Sequence, residues 1–336
     1  MDLEIIFLGT AASGPSAGRA PTATLLRRGG DRLLVDCAEG TQRQLMRSVH
    51  GLPELPEILL THFHADHYLG LPGMLKTFAL RQREEPLTIY GPPGLRDLFG
   101  DLRRLIGRLS YAVELEEVRA GEALERDGYR ILVFPVHHGV SAVGYALVEE
   151  ARPGRFDVET ADALGVPNGP ERGALQRGES ITLADGRVLT PDAVLGPARP
   201  GRRVVLSGDT APTETVQVLS EGADVLVHEA TFTDDERDRA EETLHSTARQ
   251  AAELARAAGV RLLALTHVSP RHPPGAVLAE AESVFVPTVV PRDFDVIEVP
   301  FAERGEPRLL RRAARPARGS APTDELELSE LPDAAA

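Results

Sequence analysis

"LLTHFHADHYLGLPG", Leu59 to Gly73, puts His62, His64, Asp66 and His67 inside six residues. Such a cluster costs solvation if buried and adds little to an apolar core. Imidazole and carboxylate at short spacing are ligands for zinc-like metals. The stretch reads as a strand end, a loop and a helix start. A turn there lets alternate side chains address two neighbouring points, so four groups can serve two cations instead of crowding one.

Two cations need more ligands, and other apolar runs end in suitable residues. "EILLTHFH" ends at His62 and His64, "ILVFPVHH" at His137 and His138, and "VVLSGD" at Asp209. "VLVHE" ends at His228 and Glu229, and "LLALTH" at His267. Runs of four or five apolar residues with these endings read as buried strands, and ligands gather where strand ends converge. His138, Asp209 and His267 therefore join the cluster, with an aspartate as the natural bridge between cations. His137 reads as structural, because neighbouring strand residues face opposite ways. Two divalent cations against Asp66 and Asp209 leave a net positive centre, suited to an anionic substrate.

Helical patterns separate these runs. In "STARQAAELARAAG" Thr247 is an N-cap, Gln250 its capping-box partner and Gly259 the terminator. "LEIIFLG", "TATLLRR" and "RLLVDC" near the start read as further strands. Strands alternating with helices predict an α/β sandwich of two sheets covered by helices.

The 336 residues carry a net charge of −14, one cysteine (Cys37) and one lysine (Lys76). The single cysteine rules out an internal disulfide and suits a reducing compartment. No signal-peptide pattern opens the chain, and no run reaches the roughly 18 apolar residues of a membrane span. The expectation is a cytoplasmic protein without a membrane partner. The acidic balance argues against general polyanion binding, although a local basic patch can still hold phosphate.

HxHxDH followed by later His, Asp and His resembles the metallo-β-lactamase superfamily. That resemblance implies a four-layer αβ/βα sandwich with a two-zinc site, and the fold alone does not choose the substrate. Finer motifs resemble the ribonuclease Z family of tRNA 3′-processing endonucleases. They are "FLGTAASGPS" at 7–16, "DCAEGTQRQL" at 36–45, "HGVSAVGY" at 138–145, "SGDT" at 207–210, "HEATF" at 228–232, "HST" at 245–247 and "THVSPR" at 266–271. The resemblance covers about residues 1–300. It implies His62, His64 and His138 on one zinc, and Asp66, His67 and His267 on the other, with Asp209 between them. It also implies Asp66 as proton acceptor, His245 at the scissile phosphate and Glu229 as the partner that orients and charges His245. The physical reading agrees, since His245 precedes a helix N-terminus, where phosphate is favoured.

Residues 151–200 are rich in Gly and Pro, too long for an ordinary connection. They resemble the family's protruding, flexible tRNA-binding arm, with Arg152, Arg155, Arg172 and Arg177 as phosphate contacts and glycines that let RNA approach the backbone. The catalytic domain is then 1–303, and 304–336, basic then acidic, reads as a disordered tail. The family resemblance further implies precursor tRNA as partner and a homodimer in which one subunit's arm serves the other's metals. The expected reaction removes the 3′ trailer, leaving a 3′ hydroxyl on the tRNA and a 5′ phosphate on the trailer. Two departures stand out: "PSAGRA" keeps Arg19 but lacks the lysine and asparagine of the family's PxKxRN loop, and Ala38 replaces a usual glycine. The rival readings are a small-molecule phosphodiesterase or arylsulfatase-like hydrolase, which needs no arm, and a non-catalytic RNA-binding scaffold.

Overall fold

The computed structural model describes residues 1–52 and 55–312. The chain first builds one sheet from β1 (Leu3–Gly9), β2 (Ala23–Arg28), β3 (Asp31–Val35), β4 (Glu57–Leu59), β5 (Leu87–Gly91) and β6 (Val113–Glu117). Helices α1 (Thr41–Arg47), α2 (Ala65–Tyr68), α3 (Leu71–Leu80) and α4 (Leu95–Ile106) are interleaved with them. It then starts a second sheet with β7 (Ala123–Arg126), β8 (Tyr129–Pro135) and β9 (Val143–Glu149).

An insert follows, holding α5 (Val158–Ala163), α6 (Pro170–Gln176), β10 (Ile181–Thr182) and β11 (Val188–Leu189). The second sheet is completed by β12 (Arg203–Leu206), β13 (Val225–Glu229), β14 (Leu263–Thr266) and β15 (Thr288–Val289). Its helices are α7 (Glu214–Leu219), α8 (Arg237–Thr243), α9 (Ala248–Ala258) and α10 (Pro274–Glu282). Finally β16 (Val296–Glu298) and β17 (Arg308–Leu310) return to the first sheet. The strand orders are β17-β16-β1-β2-β3-β4-β5-β6 and β15-β14-β13-β12-β9-β8-β7.

Alternation explains the layering. In β1, Ile5 and Phe7 face the core between the sheets, while Ile6 and Leu8 face the core under α1, α3 and α4. A strand buried on both faces needs a continuous apolar run, which "LEIIFLG" supplies. In β13, Val225 and Val227 point between the sheets and Leu226 points under α9. The result is helices, sheet, sheet, helices, as the sequence predicts. Helix α9 carries the expected Thr247–Gln250 capping box and ends at Gly259 in the left-handed region. Among the described residues no helix is long and apolar enough to cross a membrane.

Two expectations are corrected. Strand β17 lies in the segment read as a tail from 304 onward. It pairs antiparallel with β16, Glu298 opposite Arg308 and Val296 opposite Leu310, and Arg308 bonds Glu298. Two leucines among arginines are too short a signal to read as a strand, yet suffice at a charged sheet edge. The rest of the expected tail, 313–336, lies outside the described residues.

The insert is more than a connecting loop. Ala161, Val166, Leu175, Leu183 and Val194 form a small core of its own, with Phe156 and Leu164 packed on it. Its two feet run antiparallel, bridged at Arg152–Arg199 and Phe156–Leu195. A Cβ on Gly154 would sit 1.9 Å from the Gly196 carbonyl oxygen. That glycine therefore serves close approach within the stalk, not the approach of RNA that the sequence suggests.

Candidate metal centre

The strand ends of both sheets converge at one edge of the sandwich. His62 and His67 follow β4, His138 follows β8, Asp209 follows β12, and His267 follows β14. Parity separates the two residues ending β13: Glu229 shares the inner face of Val227 and turns into the site. His228 shares the outer face of Leu226, is buried there, and bonds the Glu229 carbonyl through Nδ1 at 2.8 Å. His137 bonds Thr210 only through its backbone N–H and takes no part.

All seven ligand candidates meet. The ligand atoms of His62, His64 and His138 lie within 4.8 Å of one another, as do those of Asp66, His67 and His267, and of His62, His67 and Asp209. Asp209 Oδ2 stands 3.2 Å from His67 Nε2 and 3.2 Å from His267 Nε2, and 3.8 Å from His62 Nε2. It thus joins the two groups. Asp66 accepts the Ser13 backbone N–H at 2.8 Å, which ties the first loop to the centre.

Hydrogen-bond bookkeeping fixes where the lone pairs point. Asp36 accepts from His67 Nδ1 at 2.8 Å, and the Leu244 carbonyl faces His138 Nδ1 at 3.1 Å. Neither oxygen can donate, so each Nδ1 carries a proton and each Nε2 is the nitrogen left to face the centre. Thr61 Oγ1 donates to Asp36 and receives His62 Nδ1 at 3.0 Å. Thr231 Oγ1 donates to Glu229 and receives His267 Nδ1 at 2.8 Å. Four imidazoles therefore aim their Nε2 atoms at one centre. His67 Nε2 is buried without a hydrogen-bond partner.

His64 Nδ1 lies 3.1 Å from both His62 Nε2 and His138 Nε2. That spacing is close to the roughly 3.3 Å edge of a tetrahedron with 2.0–2.1 Å zinc–nitrogen bonds. Converging lone pairs repel unless a cation sits among them, so the donor set fits a metal. Burial and the neighbouring imidazoles hold His62 neutral, its pKa down at about 2. Burial lowers His67 too, but Asp209 and Asp36 outweigh it and raise it well above the usual imidazole range, so a cation bound at Nε2 would displace a proton there. Buried Asp209 stays ionised because His267 and His67 outweigh desolvation.

His245 sits beside this cluster, its ring 4.9 Å from that of His138 and stacked 5.5 Å from that of His267. Its Nδ1 is 2.6 Å from Glu229 Oε1. Burial opposes its charge, but Glu229 dominates and lifts its pKa to about 9. Glu229 itself is buried, yet His245 keeps it below the ordinary carboxylate range.

Asp36, Thr61 and Thr231 went unnoticed in the sequence, although each stands inside or beside a quoted motif. No spacing rule marks a residue that acts by holding another residue's ring. Backbone strain is a second hidden signal: Asp36, Leu244 and His267 all hold left-handed φ of 53° to 61°, a conformation that costs energy outside glycine.

The expected phosphate contacts divide. Arg152 is committed to the foot of the insert, bidentate on Glu303 at 2.9 and 3.1 Å and 3.4 Å above the Phe301 ring. Arg172 is committed inside the insert, to Asp162 and to the Val166 carbonyl. Arg177 makes an exposed pair with Glu179 at 2.8 Å, and Arg155 is exposed with no side-chain partner among the described residues. Arg152 and Arg172 thus tie the arm together.

The metallo-beta-lactamase superfamily matches residues 17–151, and a beta-lactamase superfamily domain matches 190–268. The chain is 46% identical over 305 residues to ribonuclease Z of Myxococcus xanthus, covering 90% of this chain and 99% of that protein. It is 45% identical over 311 residues to ribonuclease Z of Halorubrum lacusprofundi, covering 91% and 100%. Human tRNase Z, short form, superposes with a TM-score of 0.64 at 27% identity, covering 88% of this chain and 99% of that structure. The chain belongs to the ribonuclease Z family, with the metallo-beta-lactamase fold.

Proposed function

We propose that this protein is a zinc-dependent endoribonuclease that removes the 3′ trailer from precursor tRNA in the cytoplasm. His62, His64 and His138 would hold one zinc ion and Asp66, His67 and His267 a second, with Asp209 between them. When bound, such a pair supplies Lewis acidity at phosphorus and lowers the pKa of the attacking water. Asp66, anchored by the Ser13 amide, takes the proton from that water. His245, kept charged by Glu229, donates to the departing 3′ oxygen of the tRNA, leaving a 5′ phosphate on the trailer.

The observation that carries this reading is the convergence of seven ligand-type side chains beside a charged histidine–glutamate pair. The insert supplies the means to choose tRNA over small esters. Arg155 and Arg177 contact phosphates of the tRNA body, positioning it without reading bases, and a homodimer presents one subunit's arm to the other's metals.

The test is cleavage of a trailer-bearing precursor tRNA with both product ends mapped, alongside metal analysis. A 3′ hydroxyl on the tRNA, a 5′ phosphate on the trailer and two zinc ions per chain are expected. Replacing 152–199 by a short glycine link is possible because the feet are bonded, Arg152 N–H to the Arg199 carbonyl at 2.7 Å. That deletion should abolish precursor cleavage and spare hydrolysis of bis(p-nitrophenyl) phosphate. Equal loss of both activities would count against this reading.

A further inference from the structure

The two feet of the arm share one carboxylate. They leave the end of β9 and enter the start of β12, the ends of those strands that lie away from His138 and Asp209. The feet are bonded to each other, Arg152 and Arg199 exchanging backbone hydrogen bonds at 2.7 and 2.9 Å. Among the described residues, every hydrogen bond and ion pair between 152–200 and the rest of the sandwich ends on Glu303.

Arg152 grips Glu303 in a fork, Nη1 on Oε1 at 2.9 Å and Nη2 on Oε2 at 3.1 Å, and Arg199 Nη1 reaches Oε1 at 3.1 Å. A lone exposed pair contributes little, but a fork joined by a second guanidinium fixes angle as well as distance. Phe301 adds a second hold. Arg152 of the foot and Arg202 of the body lie 3.4 and 4.2 Å from the centroid of its ring, close enough for each charge to be drawn to the ring. The segment carrying Phe301 and Glu303 is itself pinned to the body. Arg202 donates to the Val299 carbonyl at 3.0 Å. Arg261, just before β14, pairs with Glu306 at 3.0 Å and bonds the Gly305 carbonyl.

We propose that Glu303, with Phe301, is a positioning residue for the RNA substrate: it fixes the angle at which the arm leaves the sandwich. The proposal rests on the endonuclease reading, in which the arm grips the tRNA body. Without this hold, two chain crossings side by side form a hinge, and a small change of angle at the feet becomes a larger displacement at α6. Substrate binding would then carry the cost of ordering the arm, which a preset angle avoids. On this reading Arg152 and Arg199 serve the RNA indirectly, as the anchor of the arm.

The test compares the wild type with Glu303→Ala, with Phe301→Leu, and with Glu282→Ala, which removes the same charge at an exposed position of α10. The first measurement needs no substrate. Nitroxides at Gln176→Cys on α6 and Glu253→Cys on α9, both exposed, report the distance from arm to body by pulsed electron resonance, and the native Cys37 is buried. The distance distribution should broaden in Glu303→Ala and Phe301→Leu and stay as in the wild type in Glu282→Ala. The second measurement is steady-state cleavage of precursor tRNA. KM should rise about fivefold in the two latch variants, with kcat within about twofold of the wild type and hydrolysis of bis(p-nitrophenyl) phosphate unchanged. Glu303→Ala also removes a negative charge and frees two guanidiniums, changes that would tighten RNA binding if charge alone governed it. A fall in KM, an unchanged KM, an unchanged distance distribution, or the same changes in Glu282→Ala would overturn the proposal. If the wild type does not cut the precursor, the endonuclease reading fails, and the distance measurement still decides whether Glu303 holds the arm.

Discussion

Glu229 Oε1 sits 2.6 Å from His245 Nδ1, beside the cluster of ligand-type histidines. The carboxylate favours the charged form of His245. Its pKa of about 9 keeps a proton available throughout the neutral range.

Glu229→Gln removes that charge, and the His245 pKa should fall to its ordinary 6.5 or below. A raised histidine pKa means that the charged form prevails below about 9 and is lost above it. In the variant the loss should begin near neutrality, so kcat at pH 8 should drop about thirtyfold while the deficit shrinks toward pH 6. A pH–kcat profile with precursor tRNA checks this. An unchanged alkaline limb would remove Glu229 from its assigned role.

Asp36→Asn should act on metal affinity. Asp36 fixes the His67 tautomer and holds Thr61, which in turn holds His62. Losing such an outer partner costs about 10–100-fold in affinity. Competition with a zinc chelator measures this directly, without reference to turnover. Wild-type affinity in the variant would mean that the two rings are held by packing alone.

The feet of the insert are joined by a buried ion pair. Arg202 binds Glu149 with two side-chain bonds of 2.7 and 2.6 Å, and Arg28 adds a third at 2.8 Å. Burial opposes the carboxylate's charge, but Arg202 and Arg28 prevail and bring its pKa down to about 2. Unfolded, it titrates near 4.5, so the stabilisation is complete above that pH and is lost as pH falls toward 2. The linked contribution is on the order of 3 kcal/mol. Glu149→Gln should lower stability at neutral pH by about 3–5 kcal/mol, because Arg202 is left buried without its partner. It should also flatten the acid dependence between pH 4.5 and 2. Urea unfolding at several pH values tests both parts.

Gly154→Val should loosen the arm without touching the centre. Its Cβ would meet the Gly196 carbonyl, and forcing the feet apart costs about 1–3 kcal/mol. Trypsin should then cut faster at Arg155, and precursor tRNA turnover should fall well below that of bis(p-nitrophenyl) phosphate. Parallel loss on both substrates would mean that the arm also shapes the metal centre.

How much was legible follows from what each residue does. The strands ending in His62, His138, Asp209 and His267 announce themselves, because an apolar run closed by a ligand is a local pattern. The capping box of α9 is equally local. Asp36, Thr61 and Thr231 were not legible, since they work through partners brought near by folding. Strand β17 hid because two leucines form a strand only when β16 is already there to pair with.

The order of residues alone determined the buried strands, the helix limits and the kinds of side chain available for a metal, since these depend on periodicity and near-neighbour chemistry. Only the tertiary structure decided which of those side chains face one another. Parity along β13 turned Glu229 inward and His228 away. Folding of the insert on its own small core committed Arg152 and Arg172 to internal pairs and left Arg155 exposed. Long-range packing sets distance and direction, and charge and coordination chemistry depend on both.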